Sequence, residues 1–205
     1  MSGGVLRDME ILKTFHLKLT NEHGLSASSA DQVTKNARVV KRQAGELVFA
    51  AGDDLQELFF IGSGLVRYFY VTPDGREFNK SFVSSGSVVT CLSSFLERLP
   101  APFFTEALDT SILIAVPMDE LRSLRQTDPE VERLVNRFVT NLALQKEKRE
   151  ASFLLEDAAG RYEAFLRNFP DVAARIPQYH IASYLGITPV ALSRIRGRRV
   201  RQHGS

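Results

Sequence analysis

The sequence predicts an α+β protein. It should have an N-terminal double-stranded β-helix (a jelly roll), then a long helix, then a C-terminal helical domain with a helix-turn-helix. Three observations predict this. Between Ala37 and Val116, short β-branched and aromatic clusters alternate with glycine-containing turns. Asp128-Pro129-Glu130 then opens a broad apolar stripe at helical spacing. Finally, Ile176 to Arg196 reads as two short helices about a central glycine. The expected boundaries are 1–127 for the roll with its N-terminal helices, 128–157 for the long helix and 158–205 for the helix-turn-helix domain.

Residues from about 5 to 36 look helical, because Leu6, Met9, Leu12, Phe15 and Leu19 recur at helical spacing. Ser26 to Ser29 offer caps for a following turn. The strand clusters include Val39-Val40, Leu47 to Phe49, Leu58 to Ile61, Leu65 to Val71, Phe82-Val83, Val88-Val89 and Ile112 to Val116. Short strands at regular spacing with turn signals between them argue for a sandwich or jelly roll. Pro73-Asp74-Gly75 is a hairpin signal: proline presets one turn position, and glycine takes a positive φ at another.

Met118-Asp119-Glu120-Leu121 starts a short helix, and Asp128 is placed to cap the long one with Pro129 at its first position. Val131, Leu134, Val135, Phe138, Val139 and Leu142 make the stripe. Val131, Val135, Phe138 and Leu142 suit the seam of a coiled-coil-like homodimer, or the same helix packs on its own domain. Tyr162, Phe165, Leu166 and Phe169 form a further helix ending before Pro170.

The C-terminal segment is the most specific. Pro177 opens the first short helix, and Ile181, Ala182 and Leu185 give it an apolar face. Gly186 supplies the turn, where a positive φ is cheap only for glycine. Thr188 caps the second helix, with Pro189 next and Leu192 and Ile195 facing inward. In a helix-turn-helix the second helix enters the DNA major groove. Val190, Ser193 and Arg194 are then the candidate base contacts, and Thr188, Arg196, Arg198 and Arg199 the candidate phosphate contacts. Gly197 is expected to end the helix, leaving Arg198 and Arg199 beyond it.

Composition narrows the function classes. Net charge is only +2, yet Arg194, Arg196, Arg198, Arg199 and Arg201 crowd into eight residues, a local basic patch suited to nucleic acid. Cys91 is the single cysteine, so an intramolecular disulfide and a multi-cysteine metal or iron–sulfur site are excluded, as suits a cytoplasmic protein. The four histidines, at 16, 23, 180 and 203, all lie outside the expected roll. This argues against a metal-dependent jelly-roll enzyme and a haem ligated there. No Gly-x-Ser-x-Gly elbow, leader or membrane-length apolar run occurs. No cofactor, metal or membrane partner and no enzymatic activity is expected.

The order roll, long helix, terminal helix-turn-helix resembles the catabolite activator/FNR (Crp/Fnr) family of bacterial transcription regulators. The sharpest match is Ile181-Ala182-Ser183-Tyr184-Leu185-Gly186-Ile187-Thr188-Pro189 with Leu192-Ser193-Arg194-Ile195. Gly45-Glu46 with Gly52-Asp53, and Phe59 to Arg67, are similar to early strands of a cyclic-nucleotide-binding roll. The chain looks like a branch whose members end soon after the recognition helix. The resemblance implies a homodimer on double-stranded DNA, a sensor roll, and RNA polymerase and an unidentified small effector as further candidate partners.

The chain also departs from that family. In its nucleotide-binding members a Gly-Glu pair and a later Arg-Ser or Arg-Thr/Ala pair hold the ribose and cyclic phosphate. By spacing, Thr90-Cys91 and Ala101-Pro102 stand at those places. A buried phosphate diester without a cation is costly, so binding of cyclic AMP or cyclic GMP is not expected. Thr90, Cys91, Ser93, Phe103 and Phe104 remain the candidate effector pocket, either filled or apolar. Where family readers carry a glutamate, Val190 can offer only apolar contact, for example to a thymine methyl. His180 replaces an expected aliphatic residue as a core imidazole, an exposed side chain or a phosphate contact. The competing reading is a ligand- or protein-binding sensor of the same fold without sequence-specific DNA binding.

Overall fold

The computed structural model describes residues 2–203, with side chains described for residues 4–199. Two helices come first, α1 (Ser2–Asn21) and α2 (Ala27–Thr34). The second starts at Ser26, whose hydroxyl accepts the Ser29 N–H at 3.2 Å. Eight strands follow: β1 (Arg38–Arg42), β2 (Leu47–Phe49), β3 (Glu57–Ser63), β4 (Leu65–Val71), β5 (Glu77–Ser84), β6 (Val88–Val89), β7 (Phe104–Ala107) and β8 (Ser111–Pro117), with helix α3 (Leu92–Glu97) between β6 and β7.

The strands form two four-stranded sheets, ordered β1-β8-β3-β6 and β2-β7-β4-β5. The first pairs antiparallel with Val40 opposite Leu113 and Phe60 opposite Ile114. This two-sheet roll is the expected jelly-roll class. Its tightest turn is at Gly64, where φ is +116° and a Cβ would come within 2.6 Å of the Ser111 Cα, so only glycine fits. The Pro73-Asp74-Gly75 hairpin is also present, with Gly75 at φ +81°.

Helix α4 (Met118–Thr127) leads into α5 (Pro129–Leu155). Asp128 starts α5 by accepting the Glu130 N–H at 2.8 Å. It also takes the Ser29 hydroxyl at 2.6 Å, while Glu130 takes the Ser26 N–H at 2.6 Å. Those hydrogen bonds hold both carboxyls below the usual carboxylate range, the Ser29 hydroxyl acting first on Asp128 and the Ser26 backbone N–H first on Glu130.

The chain forms two compact units. One comprises Met1–Arg67 and Phe82–Asn141; the other comprises Tyr68–Ser81 and Leu142–Ser205. In the first, Phe15, Leu19, Leu58, Phe60, Ile114, Val116, Met118 and Leu134 are among the core residues. Val131 and Val135 belong to that same core at 0% and 5% exposure. The seam expected at these two positions is therefore corrected: they have no surface to offer a second chain. Phe138 is half-buried, with its ring centroid 6.0 Å from that of Phe60. Leu142, also half-buried, is the one of the four that does not pack against this core.

The second unit contains α6 (Ala158–Asn168), α7 (Gln178–Leu185) and α8 (Pro189–His203). Tyr68, Phe69, Tyr162, Phe165, Val172, Ile176, Ile181, Ala182, Leu185 and Leu192 are among its buried apolar residues. The tip of the β4–β5 hairpin, residues 68–81, packs with these helices, a grouping the strand pattern did not suggest. Among the described residues, no helix is long and apolar enough to cross a membrane.

Candidate nucleic-acid interface

Helices α7 and α8 meet at Gly186, which caps α7 in the left-handed region at φ +69°. Two residues on, the Thr188 hydroxyl accepts the Ala191 N–H at 3.2 Å, starting α8. Leu192 is fully buried and fixes how α8 rotates about its axis. Residues 190, 194 and 197 then fall on the opposite side of the helix, with 193 and 198 flanking them. Val190 is 62% exposed, and Thr188, Ser193, Arg194, Arg196, Gly197 and Arg198 are exposed as well. The candidate contacts at 190, 193, 194 and 198 thus share one solvent-facing surface, while Arg196, exposed as well, leaves the helix on the Leu192 side.

Two expectations about this helix are corrected. Gly197 does not end it, because α8 continues to His203. An isolated glycine costs a helix only about 1 kcal/mol relative to alanine, which the flanking turns tolerate here. Consequently Arg199 returns to the inward side, seven residues after Leu192. Its Nε donates to Glu163 of α6 at 2.7 Å, so its charge is already compensated within the unit. Arg198, one residue earlier, remains exposed.

His180 is a core imidazole, 5% exposed. The Asn79 amide lies 3.1 Å from its Nδ1 and donates to its carbonyl oxygen at 3.2 Å. The Ser183 hydroxyl accepts the Asn79 N–H at 2.9 Å. Arg149 donates to the carbonyls of Lys80 and Tyr184 and sits 4.1 Å from the Tyr184 ring centroid. Burial lowers the Arg149 guanidinium and raises the Tyr184 phenol from their ordinary values. A polar network therefore ties the hairpin tip to the first helix of the reader. Its partners lie 101 residues apart in sequence, beyond any local signal.

In the roll, the expected effector residues surround packed side chains. Cys91 and Phe103 are 1% and 4% exposed, and Thr90, Ser93 and Phe104 are half-buried. The Phe103 ring packs 5.8 Å from that of Phe49. Cys91 Sγ lies 3.1 Å from Ser93 Oγ. Burial pushes this thiol up, but hydrogen bonds from the Ser93 and Ser94 side chains and backbones outweigh it, leaving it below its usual value. Arg98, the cation nearest the phosphate position in sequence, caps α3 at φ +58° and pairs with Asp119 at 2.9 Å, 67% exposed. The one buried arginine of this region is Arg67, which pairs with Glu106 at 2.9 Å. Sequence reading missed that pair, since both residues stand among strand-forming neighbours with no motif about them.

A two-sheet β-roll, a long helix and an exposed, basic second helix after a tight turn define the class: a β-roll followed by a helix-turn-helix. The comparisons narrow it. Residues 39–128 match the cyclic nucleotide-binding domain family. The chain is 26% identical over 189 residues to the fumarate and nitrate reduction regulatory protein of Yersinia pestis, covering 87% of this chain and 73% of that one. It is also 26% identical over 189 residues to electron transport regulator A of Shewanella oneidensis, covering 85% and 74%. Its fold is shared with FixK2 from Bradyrhizobium japonicum at a TM-score of 0.73 and 19% identity, covering 82% of this chain and 86% of that one. It is shared too with the regulator CLP of Xanthomonas campestris at a TM-score of 0.68 and 18% identity, covering 87% and 93%. Over most of its length the chain is thus similar to transcription regulators of the Crp/Fnr kind.

Proposed function

We propose that this protein is a homodimeric, sequence-specific DNA-binding regulator acting on a near-palindromic operator. The observation that carries this is the surface of α8. Leu192 is buried, Thr188 caps the helix, and Val190, Ser193, Arg194 and Arg198 stand together in solvent. Arg194 reads a guanine edge and Arg198 meets phosphate, while Val190 takes an apolar contact in place of a hydrogen bond to cytosine. The protein acts in the cytoplasm without catalysing a reaction, and RNA polymerase is its downstream partner.

The dimer seam runs farther along α5 than the stripe suggested. Leu144 and Leu155 are 47% and 84% exposed, and Ala151 is exposed between them. These three recur at seven- and four-residue steps, so they line one side of the helix. The roll works without a cyclic nucleotide held in the family's manner, because Thr90-Cys91 and Ala101-Pro102 supply neither carboxylate nor guanidinium.

Selection of bound duplexes from a random pool tests the reading. It should enrich a near-palindrome whose half-sites lie about one DNA turn apart, roughly 34 Å. Recovery of unrelated sequences after repeated rounds would favour the sensor reading without specific DNA binding. Calorimetry with cyclic AMP and cyclic GMP should show no saturable heat at micromolar ligand, and tight binding abolished by changes at Thr90 or Cys91 would reverse the account of the roll.

A further inference from the structure

The roll's candidate effector position is packed, but a cleft of about 320 Å³ lies elsewhere, between α1 and the β3–β8 face of the roll. Its apolar wall is Ile11, Phe15, Phe60, Ile61, Ile112 and Ile114. None of Thr90, Cys91, Ser93, Phe103 and Phe104 lines it. The strand register shifts between Ile61 and Ser63, opposite Ile112, which bends β3 where the cleft lies.

We propose that this cleft is a binding site for a small, uncharged, mainly apolar molecule of about ten to twelve heavy atoms. Size comes from volume: a cavity of about 150 Å³ takes up benzene, so this one has room for about two such rings or an alkyl chain of similar bulk. Charge comes from the rim. Arg7 and Lys18 are matched there by Glu10 and Glu22, so an ionised ligand gains no net attraction. The fifth titratable group, His23, is held below its ordinary value by burial and then by Arg137, which favours the neutral imidazole. The wall, being apolar, holds its occupant by area removed from water.

The long helix does not line the cleft, but two of the lining residues, His23 and Phe60, pack against it. The rings of Phe15 and Phe60 lie 4.6 Å apart, and Phe138 of α5 is 6.0 Å from Phe60 and 5.5 Å from His23. An occupant therefore presses on the two rings that hold Phe138. As an effector site this rests on the regulator reading above, but binding itself is measured without DNA, so loss of DNA recognition would leave the site standing.

The sequence provides its own reporters. It has eight isoleucines: Ile11, Ile61, Ile112 and Ile114 line the cleft, and Ile176, Ile181, Ile187 and Ile195 belong to the reader. Titration of δ1-methyl-labelled protein with 1-naphthol, followed by NMR, should shift the first four saturably with one dissociation constant. For eleven heavy atoms this should be on the order of 10–100 μM. The reader isoleucines should not move with that constant. The anion 1-naphthoate should bind at least tenfold more weakly. Thr14→Trp should weaken naphthol binding at least tenfold with unchanged far-UV circular dichroism, because Thr14 lies exposed at the cleft and its hydroxyl bonds only back to the Glu10 carbonyl at 2.9 Å. Unsaturable shifts spread over all eight methyls would overturn the proposal. So would tighter binding of naphthoate, or cleft shifts that track protein concentration without probe, which would mean a second copy fills the cleft.

Discussion

Three neighbouring arginines have separate fates because of the angle at which each leaves α8. Arg194 is exposed on the side opposite Leu192, Arg198 is exposed beside it, and Arg199 is tied to Glu163. Arg194→Ala should cost about 1–3 kcal/mol on the preferred site and flatten preference at one base position. Arg198→Ala should weaken all sequences alike and reduce the salt slope by about one unit. Arg199→Ala should leave that slope unchanged and cost the fold under about 1 kcal/mol, as half-exposed ion pairs do. Titrations at several salt concentrations separate the three, and a common sequence-independent loss would remove Arg194 as a reader. The cap at Thr188, the turn at Gly186 and the inward Leu192 were legible because each rests on local backbone demands. Arg199 was not, since its partner is 36 residues away and its direction depended on whether the helix passed Gly197.

Gly197 itself separates fold from function. A Cβ there meets nothing within 4 Å, and the residue sits in the middle of the exposed side of α8. Gly197→Ala should stabilise the helix by up to about 1 kcal/mol, read as a higher urea midpoint. The same change should weaken DNA binding, because the added methyl stands where the duplex approaches. Equal or tighter DNA binding would mean that another side of the helix faces the groove.

At the scale of elements, the junction of α2 and α5 is a charge-dependent clamp. Hydrogen bonds hold Asp128 below its ordinary value, so its contribution is complete above the usual carboxylate range and is lost as pH falls through the lower folded value. Asp128→Asn keeps a capping side chain but removes the titration. Its unfolding midpoint should therefore change less between about pH 5 and pH 2 than that of the unaltered protein. Equal acid sensitivity would show that the clamp is not a source of it. The capping role of Asp128 was readable from Asp-Pro-Glu, whereas its bond to Ser29 lies 99 residues away. The helical stripe was also readable, but its use was not. Helical spacing says that Val131 and Val135 share a side with Phe138, and only the packing says that this side meets the chain's own core.

For the whole molecule, the proposed dimer rests on what α5 leaves uncovered. Leu155 is 84% exposed in the single chain, and large exposed apolar side chains at regular steps mark contact surfaces. Burying such a side chain is worth about 1.5–3 kcal/mol. Leu155→Glu should accordingly shift sedimentation toward monomer, and with it weaken binding to a full operator more than to a half-site. An unchanged dimer would place the seam elsewhere. The layout of roll, long helix and helix-turn-helix was legible because β-branched and aromatic clusters between glycine turns give way to apolar residues at helical spacing. The cleft beneath α1 was not, since a gap between packed elements leaves no trace in either pattern. The most direct test of the account is the binding of the full chain to its selected near-palindrome and to a scrambled duplex of equal length, measured across salt. The account predicts tighter binding to the palindrome by at least about a thousandfold at moderate salt, with affinity falling as salt rises. Equal affinity for the two duplexes at every salt concentration would contradict it.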